Sequence, residues 1–131
     1  MTHEPPADLQ TPGNRQVLEY LRDKSAHSDV AQALDEALRP LGDVQVFCPD
    51  AARYRYLAAS TRNVVFAAAY GMNTLAFRLD EDLAARAVRS GGEPAAPLGE
   101  EWVSFTLFRS DWPAPDLEFW ARKAYALARG R

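Results

Sequence analysis

The chain has 131 residues, with 15 lysines and arginines, 18 aspartates and glutamates and a formal net charge of −3. This length supports one modest hydrophobic core, so we expect a single domain over residues 14–131 behind a disordered N-terminal tail, residues 1–13. An acidic chain lacks the basic surface that general binding to nucleic acids or to membranes requires. No apolar run approaches the ~20 residues of a membrane-spanning helix, which predicts no membrane partner.

Cysteine usage and the N-terminus indicate a compartment. The single cysteine, Cys48, excludes an internal disulfide. The opening MTHEPPADLQTPGN has no basic segment followed by an apolar one, so it does not look like a secretory signal. These features predict a cytoplasmic protein. Thirteen arginines against two lysines, in a chain rich in alanine, are typical of a GC-rich bacterial genome.

Two helices are predicted at the start of the domain. Asn14 is suited to cap a short helix, because its side-chain oxygen can accept from a free backbone N–H of the first turn. The apolar face of this helix is expected to hold Val17, Leu18 and Leu21. Ser28 or Asp29 is expected to cap a second helix, whose apolar residues recur at i, i+3, i+4 and i+7 until Gly42 ends it.

Four strands are predicted next, over residues 44–48, 53–60, 64–70 and 73–79. The last two form a hairpin in which Gly71 supplies the positive φ of a two-residue turn. Alternation across that turn places Val64, Phe66, Ala68 and Tyr70 on one face with Leu75, Phe77 and Leu79. It places Val65, Ala67 and Ala69 on the other face with Thr74, Ala76 and Arg78. The second face is thus predicted to be smooth with alanine and open to close approach by another molecule.

The rest of the chain completes the expected fold. Asp80 is predicted to cap a helix that Gly91 and Gly92 end. A loop over EPAAPLGE (93–100), a strand over 101–108 and a helix that opens near Pro115 follow. Trp120 is predicted to anchor that helix in the core. The order of elements predicts an α+β fold of two layers, with an antiparallel meander sheet of about five strands and helices packed mainly on one face.

For each candidate catalytic or metal-binding pattern in the sequence, a purely structural role of the residues is the favoured explanation. A metal site needs three or four convergent ligands, and His3, His27 and Cys48 have no ligand spacing, so neither a metal nor a cofactor is predicted. Cys48 has only His27 as a candidate base, which favours an inert and half-buried thiol. One group of carboxylates is expected to be solvated beside a strand: Glu100, Glu101 and Asp111.

Arginines are concentrated in the predicted strands. Four arginines and no acid lie between Ala51 and Leu79, and three tyrosines are interleaved with them. The candidate binding residues are Arg78, Arg53, Arg55, Arg62 and Tyr70. Arg78 leads this set, because small neighbours leave its guanidinium room to reach an anion in a forked geometry. The alternative is that Arg78 pairs with an acid that follows it, Asp80, Glu81 or Asp82, or with an acid on a helix that packs on the sheet.

Three segments carry a family resemblance: VVFAAAYGMNTLAFRLDED at 64–82, GGEPAAPLGEEWVSF at 91–105 and DLEFWARKAYALARG at 116–130. They resemble the small bacterial α+β domains of the TfoX N-terminal and YjbR-like group. The resemblance implies the same α+β fold. The TfoX-like group is linked to competence regulation and the YjbR-like group has been called DNA-binding, but the resemblance implies no catalytic residue here.

Three functions follow as hypotheses. The leading one is a non-catalytic binding or interaction module, with a protein partner or self-association, including a homodimer. The second is a nucleic-acid-associated regulator in which the tyrosines stack bases, a reading disfavoured by the acidic net charge. The third is a small enzyme that uses the region of Cys48, whose thiol would then need a lowered pKa.

Overall fold

A computed structural model describes residues 4–50, 54–109 and 114–131 of the protein. Four helices and six strands are found in these ranges, with a short 3₁₀ turn at Ala7–Leu9. The helices are α1 (Pro12–Leu21), α2 (Ser28–Leu38), α3 (Glu81–Arg89) and α4 (Leu117–Arg129). The strands are β1 (Gln45–Phe47), β2 (Leu57–Thr61), β3 (Val64–Tyr70), β4 (Thr74–Arg78), β5 (Glu93–Pro94) and β6 (Trp102–Thr106).

The six strands form one antiparallel sheet in the order β1-β2-β3-β4-β6-β5. The predicted α+β class is confirmed. The strand count is six rather than the expected five, because Glu93 and Pro94, predicted to lie in a loop, pair with Ser104 and Val103 of β6. Links of two and three residues explain the antiparallel pairing from β2 to β4.

Three helices, α2, α3 and α4, cover one face of the sheet and bury the larger core. Sheet alanines, among them Ala59 and Ala67, share this core with α4 alanines, among them Ala121 and Ala124, and all four are fully buried. Small side chains on both sides let a helix backbone approach a sheet closely. Larger residues fill the spaces around them: Phe66, Leu75, Phe77, Phe105 and Trp120. Trp120 stacks on Phe105 with 5.8 Å between ring centroids, so its predicted role as the anchor of the last helix agrees with its position.

Helix α1 covers part of the opposite face and adds a partial third layer to the two that were predicted. Its buried residues, Val17, Leu18 and Leu21, form a second core with Ala68 and Trp102 of the sheet. Ala58 and Ala76 are fully buried in the same core. The alanines of the central strands are therefore covered on both faces by the protein's own helices, and no smooth alanine face is open to a partner. That expectation was wrong.

The register of the β3–β4 hairpin explains part of this correction. Ala67 pairs with Phe77, Ala69 with Leu75 and Tyr70 with Thr74. Three residues thus form the turn, not two, although Gly71 has the expected positive φ of 73°. A shift of one residue moves side chains to the other face of a sheet. Ala67 and Ala69 consequently lie with Leu75 and Phe77, on the face opposite to the predicted one.

Because β3 contains a bulge, the predicted faces of Val65 and Phe66 are nevertheless correct. Ala59 pairs with Ala67 and Ser60 with Val65, so Phe66 is the extra residue on its strand. An extra residue interrupts the alternation of side chains. Phe66 and Ala67 can therefore both belong to the larger core, while Val65 belongs to the core under α1. A prediction from strict alternation along the sequence cannot detect this extra residue.

The segment before α1 is built into the domain. Residues 4–13 were predicted to be a disordered tail, but Leu9 is only 6% exposed and packs in the core under α1. Helix α1 begins at Pro12, so the predicted domain boundary at residue 14 falls inside it. Leu9 is the single large apolar residue in 4–13, and its burial supplies the physical reason for the difference.

Asn14 does not cap α1 as predicted. It lies inside the helix and is only 1% exposed. Its Nδ2 donates to the carbonyl oxygens of Leu9 at 2.9 Å and Asn63 at 2.8 Å, and its Oδ1 accepts from Val65 N at 3.0 Å. One amide thus joins the N-terminal segment, α1 and the β2–β3 turn.

Other helix starts are capped by side chains. Asp80 Oδ1 accepts from Leu83 N at 2.8 Å, which confirms the predicted cap of α3. Asp116 Oδ1 accepts from Phe119 N at 3.1 Å at the start of α4. Helix α2 is capped by His27, whose Nδ1 accepts from Asp29 N at 3.1 Å, rather than by Ser28 or Asp29.

Replacement of Asn14 by alanine is expected to lower the free energy of unfolding by about 3 kcal/mol, because two buried backbone groups and one partly buried group lose their partner. Urea unfolding followed by tryptophan fluorescence measures this change. Gln16→Ala is the matched control on the same helix, since Gln16 makes only exposed hydrogen bonds to Ala96 and Pro97. A loss for Asn14→Ala no larger than that of the control would contradict the assigned role.

Candidate functional site

The candidate binding residues lie at two different ends of the sheet. Arg55 and Tyr70 lie at the end that holds the β3–β4 turn, which we call the hairpin end. Arg62 and Arg78 lie at the opposite end, beside the β2–β3 turn. Strand β3 spans seven residues between these ends, which corresponds to about 20 Å. Arg53 lies outside the described residues. The structure therefore does not bring the predicted set together.

Arg55 holds the C-terminal end of α1. Its Nε donates to Lys24 O at 3.3 Å and its Nη2 donates to Arg22 O. The last carbonyl groups of a helix have no partner within the helix, and a cationic donor there also suits the negative end of the helix dipole. Arg55 thus has a structural role in the described chain.

Arg62 has a comparable role at the end of α4. Its Nη1 donates to Arg129 O at 3.2 Å. The Arg129 side chain in turn donates to Asp43 Oδ2 and to Thr61 Oγ1, both at 2.9 Å. The hydrogen bond from Arg129 lowers the pKa of Asp43. These contacts tie the C-terminal helix to the β2–β3 turn and to the loop before β1.

Arg78 differs from the other arginines. It is partly buried beside Trp102, its register partner on β6. Its side chain makes no hydrogen bond or ion pair with any described residue, and the predicted alternative partners Asp80, Glu81 and Asp82 do not contact it in this way. Burial lowers the pKa of Arg78, and the nearby Arg131 lowers it further, while Glu101 opposes the change.

The tyrosines do not form a platform for stacking. Tyr56 is buried to 2% exposure. Tyr70 packs edge-on against Tyr20 of α1, with ring centroids 5.8 Å apart. Burial raises the pKa of Tyr70 to about 12, and the neighbouring Tyr20 adds to this rise. Only Tyr54 of the three interleaved tyrosines is open to a planar ligand.

The described residues contain no catalytic constellation. Cys48 is partly buried and its Sγ donates to Arg55 O at 3.5 Å, with no contact to His27. His27 is occupied at the start of α2. Glu101 accepts from Arg131 Nη2 at 3.1 Å, and Asp111 lies outside the described ranges. In those ranges no group of three His, Cys, Asp or Glu side chains is placed to hold a metal ion.

A cluster of exposed apolar residues lies at the hairpin end. Tyr54 is 61% exposed, Met72 71% and Phe108 66%. Backbone hydrogen bonds bring the segments that carry them to the same end of the sheet: Ala26 N donates to Tyr54 O, His27 N to Gly71 O and Leu107 N to Asn73 O. We call these three residues the hairpin-end patch. Sequence analysis missed Met72 and Phe108, for which the only signal is a large apolar side chain in a turn or just after a strand.

Comparison with known proteins finds no family model that matches the chain, and no curated protein or solved structure with significant similarity to it. The resemblance to the TfoX and YjbR-like group stays a prediction. None of the described helices has both the length and the apolar character to span a membrane.

Arg78→Met is expected to leave the free energy of unfolding unchanged or to raise it slightly, because the variant removes a partly buried charge that has no partner and keeps an apolar stem. Chemical unfolding of the variant and the wild type measures the difference. Arg129→Met is the control, since it breaks bonds to Asp43 and Thr61, and it is expected to be less stable. Strong destabilisation by Arg78→Met would show that Arg78 is a structural tie.

The raised pKa of Tyr70 predicts that the stability of the fold decreases at alkaline pH. The folded-state pKa of Tyr70, raised to about 12, exceeds the ~10 of an unfolded chain. The unfolded state thus ionises first, and this contribution to stability is complete below ~10 and lost as the pH rises towards 12. Melting temperatures at intervals from neutral to alkaline pH test this. Tyr70→Phe should show a shallower decline, and identical declines would contradict the burial of the phenol.

Proposed function

We propose that this protein is a non-catalytic interaction module that associates with a second copy of itself through the hairpin-end patch. The observation that carries the proposal is the exposure of three large apolar side chains, Tyr54, Met72 and Phe108, at one end of the sheet. Large apolar side chains that are exposed near one another mark sites of interaction.

The backbone of the patch supports a role beyond folding. Tyr54 and Phe108 have positive φ angles of 56° and 64°. Bulky residues rarely adopt this left-handed conformation, which costs free energy. Both aromatic rings are exposed in this conformation. Backbone strain of this kind concentrates at functional sites.

A second copy fits the chemistry of the patch. The three side chains carry no charge, so two patches can face each other about a two-fold axis without placing like charges in contact. Two-fold contacts use the same surface on both subunits, and apolar surface is complementary to itself. Aromatic residues and methionine are enriched in such interfaces.

The two other hypotheses have less support. Arg55 and Arg62 donate to backbone carbonyls of the chain itself, so fewer guanidinium groups are left for phosphates. Tyr56 and Tyr70 are covered by α1 and its surroundings. A thiol enzyme would need a base beside Cys48. The Cys48 thiol instead donates to a backbone carbonyl, that of Arg55.

Size-exclusion chromatography with light scattering tests self-association over a range of micromolar concentrations. The wild type is expected to dimerise, and Met72→Asp combined with Phe108→Ser is expected to weaken the dimer at least about tenfold, since the patch would lose apolar area and gain two like charges across the axis. Both positions are exposed, so the fold should survive.

The matched control is Val46→Asp, because Val46 is 48% exposed on the edge strand β1, where two copies could also pair. This variant is expected to leave the dimer intact. A monomeric wild type would contradict self-association. A dimer that only Val46→Asp disrupts would show that the edge strand, and not the hairpin-end patch, is the contact surface.

A further inference from the structure

An open cleft of about 600 Å³ lies between the N-terminal segment, α1 and the chain just before β2. It does not include the hairpin-end patch. One side of α1 forms its base, because Arg15, Leu18, Glu19 and Arg22 recur at helical spacing. Arg55 and Tyr56 form one wall. Its volume is within the range of small-molecule sites.

Arg55 is held in a defined position in this cleft. Two of its nitrogens, Nε and Nη2, donate to the carbonyl oxygens of Lys24 and Arg22. A guanidinium has five N–H donors, so Nη1 and one further hydrogen are not used by these bonds. Because the helix end holds the group in place, a ligand would not have to order it. Preorganised donors of this kind bind oxygen anions with little loss of entropy.

Tyr56 provides an independent observation. The residue is only 2% exposed, yet it lines the cleft. Its hydroxyl makes no hydrogen bond with any described residue. Among those residues no fully enclosed polar side-chain atom lacks a partner, so the hydroxyl keeps some exposure, and Tyr56 lines this cleft. A nearly buried tyrosine whose hydroxyl keeps some exposure beside a cleft is suited to donate to a ligand oxygen.

The lining defines the chemical class of the ligand. The arginines Arg15, Arg22 and Arg55 and the glutamates Glu4 and Glu19 leave one net positive charge. Arg22 is engaged with Glu4 at 3.7 Å, and Arg15 has no ion pair with a described residue. Pro5 is partly exposed and, with the aliphatic stems of the lining arginines and glutamates, supplies apolar surface. A single negative charge therefore balances the site, and an apolar body fits beside it.

We propose that this cleft binds a small amphipathic organic monocarboxylate. Its carboxylate accepts from Arg55, Arg15 and the Tyr56 hydroxyl, and its apolar part lies on Pro5 and on the aliphatic stems of the side chains that line the cleft. A dianion such as a phosphate monoester is disfavoured, because Glu4 and Glu19 would repel the second charge. This ligand site is separate from the proposed contact surface, so each stands or fails alone.

Isothermal titration calorimetry with octanoate as the probe tests the site, with octanamide as its neutral counterpart. Octanoate is expected to bind one site per chain. Tyr56→Phe removes only the hydroxyl and is expected to weaken binding about tenfold, as for a hydrogen bond to a charged group. Arg15→Gln is expected to weaken binding by a smaller factor. Tyr125→Phe is the matched control, since its hydroxyl donates to Gly42 O elsewhere, and its affinity should equal that of the wild type.

Three results would overturn the proposal. The first is no binding of octanoate up to about 5 mM, well above the range of a specific small-molecule site. The second is equal affinity for octanoate and octanamide, which would make the cleft an apolar groove with no preference for an anion. The third is an unchanged affinity of Tyr56→Phe, which would place the bound octanoate elsewhere. Thermal unfolding of each variant confirms that it is folded.

Discussion

The three hydrogen bonds of Asn14 are the constraint on which the rest of this structure depends. Two of them are buried, so the Leu9 carbonyl and the Val65 N–H would otherwise have no partner in the core. They connect the Leu9 carbonyl, the β2–β3 turn and the first residues of β3. Helix α1 is thereby fixed across the second face of the sheet. Its position in turn brings Arg22 and Leu18 to the wall that holds Arg55 and Tyr56.

Alanine decides what this protein can present to a partner. In the central strands alanine lets helices pack closely on both faces of the sheet. The protein's own helices therefore cover these faces, which are not available to a partner. Surfaces for other molecules are left at the ends and edges of the sheet and between α1 and its flanking segments. The hairpin-end patch and the cleft beside Arg55 are both of this kind. They differ in chemistry, since one is uncharged and strained and the other combines arginines with apolar surface.

The arginines of the strand region show why charge in a sequence is a weak guide to a binding face. Arg55 and Arg62 lie at the C-terminal ends of helices that are distant from them in the chain. Each donates to backbone carbonyl groups there. Of the three that the structure describes, only Arg78 has no partner of this kind among the described residues. An arginine pattern in sequence cannot separate these cases, because the carbonyls concerned belong to residues about thirty and sixty-seven positions away.

Local patterns in the sequence determined the helices, the hairpin, the cap at Asp80, the glycine of the β3–β4 turn and the inward side of α4 with Trp120. These depend on spacing and on backbone preferences within a few residues. Tertiary structure alone decided the sixth strand, the covering of the alanines and the faces of β3 beyond Phe66. A bulge and a three-residue turn each shift the alternation by one residue, and both are set by the neighbouring strands. The same holds for Asn14 and Tyr56. Their roles come from groups that fold against them from distant parts of the chain, so no short pattern in the sequence could identify them.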